Sequence, residues 1–291
     1  MITKKEIMVL GSGISGIGSV MLAKKMDIDV FLSDGNIIDE DTKKTLRNEH
    51  IDFEENGHDP KKLIESDEII ISPGISFNKL KKSYPEIDSK KFISEIEFAS
   101  RFTDAFIIAV TGSNGKTTTA TLIYHILKNA GLNVGLAGNI GVSFASSVCD
   151  YSYDYYVLEV SSFQLDHSIT FKPNISVITN ISPDHLDRYD EDFDLYTLSK
   201  YSIVKNQKPN DFFIYNNDCK VTKKIFSRVQ IKSKSISFST KQNSGLEHSI
   251  YANNKNIISS INKEKFMLST DKIQIKGIHN IQNSMAAISV A

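Results

Sequence analysis

Short, nearly uncharged apolar runs recur along the chain, and between them apolar residues return every three or four positions, the pattern of strands feeding helices. Glu6–Leu10 predicts a strand, Ser15–Met26 a helix and Val30–Ser33 a second strand. Glu68–Ile71 predicts a third, buried strand that runs into Ser72-Pro73-Gly74, with Gly74 expected at a φ that other residues avoid. The run SEIEFASRF, 94–102, predicts a helix that closes this first unit. Beyond it, Ala105–Val110 has strand character, and Leu122, Ile123, Ile126 and Leu127 then recur at helical spacing. Further strands are predicted at Tyr155–Val160, Ile175–Ile178 and Phe212–Tyr215, with a polar helix over Asp192–Asn206. From Ser235 to Ile275 short alternating segments rich in Lys, Asn and Ser carry only diffuse strand signals. Strands alternating with helices predict an α/β protein of two units, divided at 103/104.

Composition narrows the class. At 291 residues the chain is long enough for about two domains, each able to bury its own core. With 34 basic against 35 acidic residues, its net charge of -1 offers no global attraction to nucleic acid or a membrane surface, and a monomer acting on small anions is expected. Cys149 and Cys219 lie far apart, which fits a reducing cytoplasm better than a disulfide scaffold. Ile7–Ala23 is uncharged and follows Lys4 and Lys5, but glycines and serines interrupt it after Leu10 and no A-x-A site follows. No run reaches the roughly 20 apolar residues of a membrane-spanning helix, so a soluble cytoplasmic protein is the expectation.

Two glycine-rich turns carry the candidate chemistry. In VTGSNGKTT the residues Gly112, Ser113, Asn114, Gly115, Lys116, Thr117 and Thr118 form a phosphate-binding loop between strand and helix. Glycines there let backbone amides close around phosphate oxygens at a helix N-terminus. Lys116 would reach the terminal phosphates and Thr117 would ligate Mg²⁺. Val110 stands where the longer form of this motif has glycine, so the match is to a TGxxGKT variant; a glycine turn that merely precedes a lysine is the competing reading. Earlier, Gly11, Gly13 and Gly16 fit G-x-G-x-x-G, with Asp34 near the spacing of a ribose-binding acid. Alone this turn predicts dinucleotide binding, or tight packing with no ligand.

The runs GSGISG, SPGIS, TGSNGKTT, GNIG, LEVSSFQL, DHLDRY and GIHNIQNSMAA occur in that order over nearly the whole chain. Together they resemble the Mur ligase family of ATP-dependent amide-forming enzymes of peptidoglycan synthesis, with SSFQL pointing to its D-glutamate-adding branch. The resemblance implies a Rossmann-like domain over 1–103 that binds the UDP part of a muramoyl substrate, and a central ATP-binding domain over 104–291. Ile14, Ser15, Asp34, Ser72, Pro73 and Gly74 become substrate contacts rather than NAD contacts, and Asn139, Ser161 and Gln164 join them. Asn280 and Asn283, three residues apart on one helix face, become adenine-side contacts, with capping as the alternative for Asn280.

The mechanism implied by the family is phosphoryl transfer from ATP to the alanyl carboxylate of UDP-N-acetylmuramoyl-L-alanine, then displacement of phosphate by the amine of D-glutamate. Catalytic roles fall on Lys116, Glu159, His185 and Lys200. Thr117 and Glu159 would hold one Mg²⁺; His185 and a carbamylated Lys200 would serve a second. Without the resemblance, His185 reads as a loop residue and Lys200 as a solvated lysine. Family members continue into a third α/β domain that positions D-glutamate, whereas this chain stops at Ala291 within an expected helix, so residues 1–291 alone are expected to be inactive. A rival from another class is a regulatory module in which the first turn takes NAD(H) and the phosphate loop senses ATP.

Overall fold

The computed structural model describes residues 5–226, 228–241, 248–253, 255–261 and 264–291. The chain forms two compact units: residues 1–104 with 141–152 and 163–171, and residues 105–140 with 153–162 and 172–291. The first is built on a five-stranded sheet of β1 (Glu6–Leu10), β2 (Asp29–Ser33), β3 (Asp52–Glu54), β4 (Glu68–Ile71) and β5 (Phe92–Ser94). All its pairings are parallel, in the order β3-β2-β1-β4-β5. Strand order reverses at β1, so the loops after β1 and β4 open at a switch point where open α/β sheets bind ligands. Met8, Leu10, Phe31, Leu63, Ile69, Ile71 and Phe92 make its core. The strand β3 and the helices Glu40–Asn48, Pro60–Glu65 and Phe77–Ser83 carry no strong periodicity and were not legible from the pattern, though Asp39, Asp59 and Ser76 cap the helices with their side chains.

Two later segments join this unit through helix packing and two buried carboxylates. The helix Phe144–Asp150 lies against the helix Ile14–Lys25 so closely that a Cβ on Gly18 would sit 2.2 Å from Ser143 Oγ. The expected helix over 94–102 is α-helical only over Glu95–Ala99 and finishes as a 3-10 turn. Its Glu95 accepts from the amide of Ala145, while Glu97 accepts from the amides of Ile169, Thr170 and Phe171 and from the Thr170 hydroxyl at 2.6–3.0 Å. Both side chains are buried.

The second unit holds a nine-stranded mixed sheet of β6 (Phe106–Thr111), β7 (Val134–Gly138), β8 (Tyr155–Glu159), β9 (Ile175–Ile178), β10 (Phe212–Asn216), β11 (Lys234–Ser239), β12 (Ser249–Ala252), β13 (Asn256–Ile261) and β14 (Glu264–Ser269). The order is β14-β13-β12-β11-β10-β9-β6-β8-β7, antiparallel only among β12, β13 and β14. The diffuse region from Ser235 to Ile275 thus supplies most of β11 and a strand meander; residues 242–247, 254, 262 and 263 of it lie outside the described residues. Ala120, Ile123 and Leu127 of the helix Lys116–Asn129 pack with Ile108, Val110, Val157, Val177 and Met285 into the core. The expected helix over 192–206 is α-helical from Phe193 to Tyr201, capped by Asp192, and the last helix spans Ile278–Ile288 rather than running to residue 291. Among the described residues no helix is long and apolar enough to cross a membrane.

Candidate functional site

In the first unit the glycine-rich turn leaves β1 and enters the helix Ile14–Lys25. Its third glycine is required by space: a Cβ on Gly16 would lie 1.8 Å from the Gly11 carbonyl oxygen. Asp34, at the end of β2, accepts from Ser12 N and Ser12 Oγ, each at 2.7 Å, and from Asn36 N at 2.9 Å. Burial opposes its charge, but the Ser12 and Asn36 hydrogen bonds outweigh it and hold Asp34 below the usual carboxylate range. The carboxylate therefore braces the turn. Ile14 is exposed at the first position of the helix, and Ser15 is half-buried behind it. Ser72 follows β4 with Oγ buried beside Gly11 and without a hydrogen-bond partner, and Pro73 is half-buried. Gly74 corrects an expectation: it is not among the glycines of positive φ and a Cβ there would meet nothing, so this loop does not need its conformational freedom.

In the second unit the phosphate loop follows β6 and ends at the N-terminus of the helix Lys116–Asn129, with no acidic residue in that first turn. Helix amides and dipole there favour an anion. Gly112, at φ +148°, faces Thr179, and a Cβ would fall 2.0 Å from its Oγ1; at Gly115, φ +81°, a Cβ would fall 2.4 Å from Asn283 Oδ1. Lys116 Nζ donates to the carbonyls of Gly112 and Ser113, both at 2.9 Å, so the ammonium is held over its own loop. Thr118 is half-buried one position beyond Thr117.

Glu159 ends β8 on the neighbouring strand, 3% exposed. Thr117 Oγ1 donates to its Oε2 at 2.6 Å and Asn139 Nδ2 to its Oε1 at 3.0 Å, while Asn139 N donates to the Glu159 carbonyl at 2.8 Å. Asn139, read from sequence as a substrate contact, also holds Glu159 through these two bonds. Ser161 lies two residues beyond, half-buried; Gln164 is buried in the short helix Ser162–Asp166 and belongs to the first unit. Asn280 donates to the Lys276 carbonyl at 2.9 Å from the third position of its helix, whose N-cap is Gly277, and Asn283 is buried against the phosphate loop.

His185 sits in the left-handed region, φ 51°, ψ 32°, with its side chain 59% exposed and Nε2 3.6 Å from Asp184 Oδ2. Lys200 is not the solvated lysine its helix alone suggests: it is 3% exposed, with Nζ 4.6 Å from the centre of the Tyr196 ring. Its neighbour Ser199 donates to the Ser162 carbonyl at 3.0 Å, which fixes the helix beside the end of β8. Thr179, Asn180, Ser182 and Tyr196 were not singled out from sequence, yet they hold the phosphate loop. Thr179 Oγ1 donates to the Asn114 carbonyl at 2.6 Å, Asn114 N to Asn180 Oδ1 at 3.0 Å, Ser113 Oγ to the Ser182 carbonyl at 2.8 Å, and Tyr196 Oη lies 2.9 Å from Ser113 Oγ. Polar residues directly after the apolar β9 were the available signal. Hard oxygen donors at Thr117 and Glu159 suit Mg²⁺, which keeps waters and phosphate oxygens in its shell. Among the described residues no group of three or more His, Cys, Asp and Glu side chains gathers, so protein groups alone would leave its shell open.

Residues 110–291 match the family profile described as the Mur ligase middle domain, and residues 6–79 match that of the MurD N-terminal domain. The chain is 42% identical over 292 residues to the UDP-N-acetylmuramoylalanine--D-glutamate ligase of Christiangramia forsetii, covering 99% of this chain and 64% of that one. The enzyme of the same name from Bacteroides thetaiotaomicron is 42% identical over 283 residues, covering 97% of this chain and 63% of the relative. The chain thus spans a little under two thirds of the length of these relatives. Among solved structures, the UDP-N-acetylmuramate:L-alanyl-gamma-D-glutamyl-meso-diaminopimelate ligase from Neisseria meningitides shares the fold, with a TM-score of 0.61 at 20% identity over 99% of this chain and 93% of that one. The two profiles and the two relatives agree with the order of loops along both sheets: the chain belongs to the Mur ligase family and carries its MurD-type N-terminal domain followed by its middle domain.

Proposed function

We propose that this chain supplies the UDP-substrate and ATP sites of a cytoplasmic ligase that joins D-glutamate to UDP-N-acetylmuramoyl-L-alanine in peptidoglycan precursor synthesis, through an acyl phosphate. The observation that carries the reading is the line of hydrogen bonds Thr117–Glu159–Asn139 at the mouth of the phosphate loop, where a carboxylate is held on two sides beside a helix N-terminus. The loop amides from Gly112 to Thr118 cradle the ATP phosphates, and Lys116 turns from its loop carbonyls to the transferring phosphoryl group, offsetting the charge that develops there. Thr117 and Glu159 would hold Mg²⁺, with His185 and a carbamylated Lys200 as ligands of a second ion; bound there, Mg²⁺ would polarise phosphoryl oxygens and screen the approach of the substrate carboxylate. Asn139 orients Glu159. Asn280 and Asn283 steady the adenine side, and Ser161 and Gln164 the muramoyl side.

In the first unit, Ile14, Ser15, Asp34, Ser72, Pro73 and Gly74 receive the UDP moiety, whose ribose and diphosphate are also half of a dinucleotide. The relatives' names, which specify D-glutamate addition, support this choice over NAD(H). Calorimetry decides between them. UDP-N-acetylmuramoyl-L-alanine and ATP are each expected to bind and NAD not to bind; binding of NAD with no binding of the muramoyl nucleotide would replace the ligase reading with the regulatory one.

A further inference from the structure

Asp218, which none of the roles above uses, joins three elements of the second unit. β10 runs into Asn217 and Asp218, where Asp218 N donates to Asn216 Oδ1 and Asn217 N to the Phe238 carbonyl, both at 2.9 Å. The Asp218 side chain then reaches the end of β11. Ser239 Oγ donates to its Oδ1 at 2.6 Å, and Thr240 donates to Oδ2 from N at 2.7 Å and from Oγ1 at 2.8 Å. A fourth donor comes from the last helix, with Gln282 Nε2 3.3 Å from Oδ2. A carboxylate can only accept, so all four groups point their hydrogens at it. Burial opposes its charge, but the hydrogen bonds of Ser239, Thr240 and Gln282 outweigh it and hold Asp218 below the usual carboxylate range.

The first three bonds latch two strand ends together; the fourth reaches the helix Ile278–Ile288, which carries Asn280 and Asn283. That helix begins at Gly277 without a side-chain cap, and residues 277–279 are exposed, so its first turn does not fix its own place. Asn283 lies against Gly115 of the phosphate loop, and its Nδ2 is 3.4 Å from Asn280 Oδ1. Gln282 stands about 100° round the helix from Asn283, so Asp218 sets a rotation that the Gly115 contact leaves free. The same strand end leads back to the loop: Asn216 Nδ2 donates to the Thr179 carbonyl at 3.0 Å, and Thr179 holds Asn114. A line of bonded residues thus runs from the phosphate loop through Thr179, Asn216 and Asp218 to Gln282.

We propose that Asp218 is a positioning residue of the ATP site: by holding Gln282 it sets the rotation of the helix Ile278–Ile288, and with it the placement of Asn280 and Asn283 at the adenine base. The inference rests on the second unit binding ATP with these asparagines on the base side. Its signature is a loss that follows the base and not the phosphates. Gln282→Met keeps the side-chain length and the helix propensity and leaves the three strand-end bonds of Asp218 in place. Calorimetry in Mg²⁺ is expected to show ATP bound roughly fivefold more weakly by Gln282→Met than by the unaltered chain, with inorganic tripolyphosphate bound equally by both and the unfolding midpoint unchanged. Asp218→Asn is expected to weaken ATP roughly tenfold, and adding Gln282→Met to it to cause no further loss, because both act through one contact. An equal loss for tripolyphosphate, an unchanged ATP affinity in Gln282→Met, or additive losses in the double variant would overturn the role of Asp218 while leaving the ATP site standing. No binding of ATP by the unaltered chain would overturn the site together with this role.

Discussion

Lys116 and Lys200, both assigned to the proposed ATP and metal site, are held differently. Lys116 is tied to two carbonyls of its own loop, bonds that a phosphate can replace without unfolding anything. Lys116→Ala is expected to keep the fold and, made in a full-length ligase that contains these two domains, to lower ATP-dependent phosphoryl transfer on the order of 10²-fold or more, because a preorganised positive charge is removed from the transition state. Calorimetry with ATP and single-turnover phosphoryl transfer check it. Lys200 is buried over the Tyr196 ring. Carbamylation converts that ammonium into an oxygen-bearing anion, so ¹³C-bicarbonate is expected to give a carbamate resonance with the chain that is absent in Lys200→Ala. An identical signal in both would remove Lys200 from the proposed second metal site. His185 and Lys200 were legible only through the family's motifs, since neither spacing nor polarity separates them from surface residues.

The short helix Glu95–Ala99 gathers segments far from it in sequence, and its two glutamates do so in opposite electrostatic states. Burial raises the Glu95 pKa to about 7 against the amides of Ala145 and Phe144, while Glu97, also opposed by burial, is held low by Thr170, the backbone amides of Phe171 and Thr170, and Arg101. For Glu95 the folded pKa lies above the unfolded value of 4.5, so the folded state binds the extra proton between these values. Its contribution is fully present below the unfolded pKa and is lost as pH rises through about 7. Glu95→Gln is therefore expected to be more stable than the unaltered chain at about pH 8 by on the order of 2–3 kcal/mol, with the gap closing near pH 4. Urea unfolding across that range measures it; a constant difference would mean that Glu95 is not buried neutral. Periodicity marked this stretch as a helix, but an exposed-looking SEIEF pattern could not reveal that its carboxylates capture backbone amides some fifty and seventy residues away.

At the scale of the whole molecule, the two units carry separate cores and separate glycine-rich turns. Changes to one ligand site are expected to leave the other's binding unaltered, as for residues that share no partners. Lys116→Ala should bind UDP-N-acetylmuramoyl-L-alanine with unchanged affinity, as read by calorimetry. Loss of muramoyl-nucleotide binding in Lys116→Ala would show that the sites are coupled already in this chain.

The sequence by itself determined the α/β class, the strands that lead into both glycine turns, and the placement of Glu159 at a strand end. These follow from local causes: unbroken apolar runs, the helical repeat after each turn, and glycines at loop positions that a side chain would crowd. Even there the local reason could mislead, since Gly74 occupies a conformation open to other residues. Only the tertiary structure decided that Asn139 steadies Glu159, that Thr179, Asn180, Ser182 and Tyr196 hold the phosphate loop, and that residues 141–152 and 163–171 fold back into the first unit. Such partners lie tens of residues apart and meet through hydrogen bonds between polar groups, which leave no periodicity in the chain because each depends on where a second element has already been placed.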